Sequence, residues 1–236
     1  MLHLALLFAT TVVDAQAPPP GGQAFPVRWE AKVAPPGRAG LDAQMKQRPR
    51  GMEPDDALDN VDDKGENHPI RTCDDYEKAK KEGWAPANNA QGATESWFIG
   101  TCDVVKLLLK AKPSRVSYVG DLKMDRTALD LLPPSIADMP DDDARLERAA
   151  KAGLSLRQYL PKLKILAGDP GHLRISEVES MYDIEIVGYG DFNGDGFEDV
   201  LLSRGSYATH GSMHVYDTVI LTRTKPTGLL SIIAAK

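Results

Sequence analysis

Residues 191–200 read DFNGDGFEDV, and this run restricts the fold more than any other in the chain. Asp191, Asn193, Asp195 and Asp199 stand at positions 1, 3, 5 and 9 of the run, and Gly196 at position 6 permits a sharp turn. A helical setting would require a Glu at position 12 and a helix on each side. Position 12 is Leu202, and the flanks IEIVGYG and VLLSRG have the pattern of strands. The run therefore joins two β-strands, and the fold must contain a hairpin built around it.

The remainder of the C-terminal third supplies a sheet for that hairpin. After Pro161, HLRISEV and YDIEIVGY alternate, DVLLS is a compact apolar run, MHVYDTVILT carries Val215, Val219 and Leu221 on one phase, and GLLSIIAA follows. An antiparallel sheet is predicted over residues 161–236. Upstream, residues 70–160 read as helices. CDDYEKAKKEG offers Asp74 as an N-cap and Gly83 as a stop, and CDVVKLLLKAKP places Val104, Leu107, Leu108 and Ala111 on one face before Pro113. DRTALDLLPP and DDDARLERAAKAGLSLRQYLP predict two further helices, stopped by Pro133 and Gly153. Helices first and strands last make an α+β chain.

Three carboxylates at this spacing repel one another unless a cation lies between them. Calcium takes six to eight oxygens, and alternate side chains around a glycine turn can provide them. The ligand candidates are Asp191, Asn193, Asp195, the Phe197 backbone carbonyl at position 7, and Asp199. On these residues the run resembles the FG-GAP or VCBS class of calcium loop, DxNxDGxxD, found in propeller blades and in many secreted bacterial proteins. That resemblance implies a bound Ca2+ and covers residues 184–205. A propeller needs at least four blades, and no second copy is present: NVDDKGENH has Lys64 where a carboxylate is needed, and DLKMDRTALD lacks the glycine. The expectation is one calcium-loop hairpin within a smaller fold.

The N-terminus points to a compartment. MLHLALLFATTVVDAQAPPP holds an apolar run too short to span a bilayer, followed by Ala15-Gln16-Ala17, a small-x-small cleavage pattern. Residues 1–17 are expected to be a signal peptide, although no Lys or Arg precedes Arg28, and the protein is expected to be periplasmic or secreted. Residues 18–69 are Pro-rich and then acidic, the composition of a disordered linker. The two cysteines, Cys73 and Cys102, are either bridged or two buried thiols, and an oxidising compartment favours the bridge. Such a bridge closes a loop worth about 3 to 4 kcal/mol by chain entropy.

A net charge of −6 argues against nucleic acid, which requires clustered basic residues. The chain has no GxSxG elbow, P-loop or GxGxxG. His210 and His214, four apart near Asp217, share a face only if the strand between them is regular, and Gly211 and Ser212 favour a turn. SRGSYATHGSMHVY, residues 203–216, reads as a Gly/Ser-rich loop that presents Arg204, Ser206, Tyr207 and His210 to a protein partner. A calcium loop followed by such a surface is loosely similar to periplasmic inhibitor and immunity proteins of envelope hydrolases. The expectation is a non-enzymatic, calcium-binding, protein-binding chain. The alternative is an envelope hydrolase with a structural calcium.

Overall fold

The computed structural model describes residues 24–49, 52–53, 57–88, 92–120, 122–137, 143–210 and 214–234. The N-terminal half holds β1 (Arg28–Trp29), α1 (Arg38–Met45), β2 (Leu58–Val61), β3 (Asn67–Ile70), α2 (Cys73–Glu82), β4 (Ala85–Pro86) and α3 (Gly92–Lys110). Two 3-10 turns, Ala128–Asp130 and Pro134–Ala137, precede α4 (Asp143–Lys151) and α5 (Leu156–Tyr159). The strands β5 (Lys164–Asp169), β6 (His172–Glu177), β7 (Ser180–Gly190), β8 (Asp199–Ala208), β9 (His214–Thr222) and β10 (Ser231–Ile233) follow. The chain is α+β, with helices mostly before the large sheet.

Strands β5 to β10 pair antiparallel in sequence order, the meander expected of short connections. A bulge between Ile186 and Gly188 bends β7, and beyond it β1 pairs with β7 through Arg28–Tyr189 and Trp29–Gly188. Gly188 is required there: a Cβ would stand 2.8 Å from Leu108 Cδ2 and 3.0 Å from the Arg28 carbonyl oxygen.

Both faces of this sheet are covered. One carries Leu173, Ile175, Tyr182, Ile184, Val200, Leu202, Val219 and Leu221 against Leu129, Leu132, Ile136 and Leu156. The other carries Val187, Leu201 and Ile220 against Val104, Val105 and Leu108 of α3 and Leu41 of α1. Strand β8 is consequently buried on consecutive residues from Asp199 to Leu202, which explains why DVLLS does not alternate. A small three-stranded sheet of β3, β2 and β4 packs with α2 and α3 around Leu58, Ile70, Phe98 and the Cys73–Cys102 disulfide.

Several predicted elements change. Segment 18–69, read as linker, carries β1, α1, β2 and β3 within its described part. Apolar residues of its described part dock on surfaces built elsewhere: Ala34 and Leu41 on the α3 side of the large sheet, Leu58 at the disulfide. Helix α2 is capped by Thr72 rather than Asp74, in a reciprocal capping box with Asp75, and Gly83 closes it in the left-handed conformation as expected. DRTALDLLPP folds as 3-10 turns around its prolines, and the following helix is split into α4 and α5 by Gly153 and the Ser155 capping box. Strand β5 was not expected, since all six of its residues are exposed and it forms the sheet edge. The predicted signal peptide lies outside the described residues.

Candidate metal centre

The 191–199 loop connects β7 to β8, as its flanks predicted. Its turn is made by Gly194 and Gly196, at φ +81° and +87°, backbone that favours glycine at both positions. Asp191 holds the turn closed: Oδ1 accepts from Gly194 N at 2.6 Å and Oδ2 from Gly196 N at 3.0 Å. Asn193 Oδ1 accepts from Asp195 N at 2.9 Å, Asp195 Oδ1 accepts from Phe197 N at 2.8 Å, and Asn193 Nδ2 donates to Asp195 Oδ2 at 2.9 Å. The Asp191 bonds are partly buried and those of Asn193 and Asp195 are exposed, and each of these oxygens retains a second lone pair.

A strap formed by residues 112–118 binds the outside of the loop. Lys112 and Asp191 exchange backbone hydrogen bonds of 3.0 and 2.8 Å, Arg115 N and Val116 N donate to Gly196 O at 2.8 and 3.2 Å, and Glu198 N donates to Val116 O at 2.7 Å. Tyr118 stacks on Phe197 with ring centroids 5.8 Å apart.

Asp199 closes the loop. It is fully buried, and its Oδ2 accepts from Phe192 N at 3.0 Å. Burial pushes its carboxyl up to about 6, with repulsion from Asp195 and Asp191 adding to the effect. The Thr222 hydroxyl beside it eases the charge. That hydroxyl stands outside hydrogen-bonding geometry, so Asp199 Oδ1 and Thr222 Oγ1 are both buried with no partner among the described residues. An ionised oxygen left in this way costs more than a neutral one, a cost that the neighbouring Thr222 hydroxyl offsets only in part. Glu198 is equally buried, but Arg28 forms an ion pair with it and Ser117 Oγ donates to it at 2.8 Å.

The structure thus brings Asp191, Asn193, Asp195, Phe197 and Asp199 into one loop, offering carboxylate, amide and carbonyl oxygens. Hard, all-oxygen donors of this kind suit calcium or magnesium rather than a thiophilic metal. The three carboxylates are not drawn into a tight triad. Among the described residues, the one group of His, Cys or carboxylate atoms mutually within 4.8 Å is Asp62, Glu66 and His68. That trio lies in NVDDKGENH, where Asp62 Oδ1 accepts from Lys64 N and Glu66 N, both at 2.9 Å, and so fastens the β2–β3 turn. The hydrogen bond from His68 lowers the Asp62 carboxyl, and Trp84 stacks on the His68 ring at 3.9 Å.

The predicted partner surface is largely strand. Residues 203–207 continue β8 paired on both sides and Ala208 pairs with Ser180, so they are not a loop. Arg204 turns inward, paired with Asp217 and donating at 3.0 Å to the carbonyls of Ser135 and Ile136; it braces the layer beneath rather than facing a partner. Ser206 is buried. Tyr207 donates to the Tyr216 hydroxyl at 3.0 Å, with its phenol lying where a Gly205 Cβ would intrude to 2.6 Å. His210 is exposed after the strand. Residues 211–213, between His210 and His214, lie outside the described residues. Sequence reasoning missed Glu198, Arg28 and Ser117, whose separations of 170 and 81 residues leave no local pattern.

Compared with family models, curated proteins and solved structures, the chain matches none of them.

Proposed function

We propose that this is an exported, non-enzymatic protein that holds one calcium ion in the 191–199 loop, through Asp191, Asn193, Asp195, the Phe197 carbonyl and Asp199. The observation that carries the reading is Asp199 Oδ1, fully buried and outside hydrogen-bonding geometry with any donor among the described residues, at the end of a loop of alternating acceptor side chains. When bound, calcium supplies the positive charge that these carboxylates lack. The protein's own contribution is to hold the donors: glycine turns set their direction, and the strap from residue 112 to 118 fixes the loop from outside. Its role is structural, to stiffen the β7–β8 hairpin.

Export to the periplasm or beyond is supported by the Cys73–Cys102 disulfide, a bond that persists in oxidising compartments. Among the described residues no helix is long and apolar enough to cross a membrane. The second half of the reading is that the protein binds another protein, an envelope hydrolase in the inhibitor or immunity class. Tyr207 and His210 are the residues of the predicted surface left for that contact, Arg204 and Ser206 being taken up internally.

Thermal unfolding in EDTA, then in calcium and in magnesium, tests the metal half. A calcium-selective rise in Tm supports it, and superimposed curves remove it. Capture from a periplasmic extract in calcium tests the partner half, and recovery of an envelope hydrolase lost in Tyr207→Ala supports it.

A further inference from the structure

Glu198 occupies position 8 of the loop, between the proposed ligands at positions 7 and 9. Its peptide follows the Phe197 carbonyl and precedes the Asp199 side chain, so a tilt of this one residue displaces both donors. It is held from three directions: Glu198 N donates to Val116 O at 2.7 Å, Ser117 Oγ donates to Oε2 at 2.8 Å, and Arg28 of β1 pairs with its carboxylate. Arg28 is itself aimed by Tyr189, its guanidinium lying 3.9 Å above that ring. The segment before β1 is tied to the same strap, since Phe25 and Ser114 exchange backbone hydrogen bonds of 2.7 and 2.9 Å. Past β1, Glu30 N donates to Val187 O at 3.1 Å.

Loop, strap and N-terminal arm are therefore joined through shared residues. Gly196 and Asp191 hold the strap, the strap holds Phe25, and Glu198 holds Arg28 directly. We infer that Glu198 and Arg28 are positioning residues for the metal loop, and that calcium in the loop fastens the 25–30 arm to the sheet. The inference rests on the calcium reading of the loop. Coupling between two sites is reciprocal, so whatever factor the arm adds to calcium affinity, calcium must add to the closure of the arm. Coulomb forces alone predict the opposite sign, because removing the Arg28 cation from beside a cation site tightens the metal. Couplings of this kind span roughly 5- to 150-fold.

The experiment uses the exported chain, with calcium chloride as the probe, and reads calorimetric Kd together with hydrogen exchange at the Phe25 and Glu30 amides. In the wild type, calcium slows exchange at both amides by about fivefold or more, the low end of that range. Arg28→Ala weakens Kd by a similar factor, and Arg28→Lys recovers part of it. A purely structural Arg28 lowers Tm equally in EDTA and in calcium and leaves Kd in place. If calcium binds the wild type while arm exchange stays unchanged, or if Arg28→Ala binds as tightly or tighter, the coupling is overturned. If no calcium isotherm is seen even in the wild type, the calcium reading fails, a result distinct from the failure of coupling. The wild-type exchange measurement decides the matter even where Arg28→Ala does not fold.

Discussion

Glu198 and Asp199 are consecutive in the chain and both wholly buried, yet Glu198 is met by Arg28 and Ser117 while Asp199 keeps one oxygen without a partner. Glu198 immediately precedes β8 and Asp199 opens it, and their side chains meet different neighbours. The Glu198 side meets the N-terminal arm and the strap, whereas the Asp199 side meets the turn and Thr222. The imbalance is what the proposed calcium ion would relieve at Asp199.

Asp195→Ala is expected to remove the calcium response of the protein. A site filled at ten to a hundred times its Kd contributes about 1 to 3 kcal/mol, or roughly 2 to 4 °C of Tm per kcal/mol for a chain of this size. The wild type should gain that increment between EDTA and calcium, and the variant should melt alike in both.

Metal-free stability should fall as pH rises across the Asp199 titration. Its folded carboxyl sits at about 6, above the 3.8 of the unfolded chain, so the native state binds the extra proton in that window. The penalty for ionisation is absent below the unfolded value and complete above the folded one, on the order of 2 to 3 kcal/mol. Melts in EDTA from acid to neutral pH should show the wild type losing stability relative to Asp199→Asn. Parallel curves would contradict the assignment.

The Cys73→Ser, Cys102→Ser pair should lower stability by about 3 to 4 kcal/mol, the chain entropy of a loop of this length. Both sulfurs lie in the cluster with Leu58, Ile70 and Phe98, so the loss should be accompanied by earlier exchange of β2 and β3 amides. Urea unfolding with and without reductant measures the first, and mass-resolved exchange the second.

Arg204→Ala should destabilise the fold by about 2 kcal/mol, because it leaves Asp217 and the carbonyls of Ser135 and Ile136 without their donor. Urea midpoints compare it with Tyr207→Ala. An unchanged midpoint in Arg204→Ala would return Arg204 to the surface role that its sequence context suggested.

Much of the fold was legible where the pattern is local. The hairpin around Gly196, strands β6 to β10 and the Gly83 stop of α2 follow from turn residues and periodicity within a few positions of each other. Strand β5 was not legible, because an edge strand exposed along its whole length carries no hydrophobic alternation. The loop oxygens could be named from spacing, but the unequal fates of Glu198 and Asp199 could not, since Arg28 and Ser117 lie far away in the chain.

The sequence by itself determined a loop of alternating oxygens between strands, a pair of cysteines and the order of helices before sheet. Only the tertiary structure decided that the Pro-rich N-terminal segment docks on the sheet, that Arg204 braces the core, and that one buried carboxylate is neutralised while its neighbour is not. The reason is physical: turns and periodicity are set by neighbouring residues, whereas burial and charge pairing depend on which distant segment covers each face.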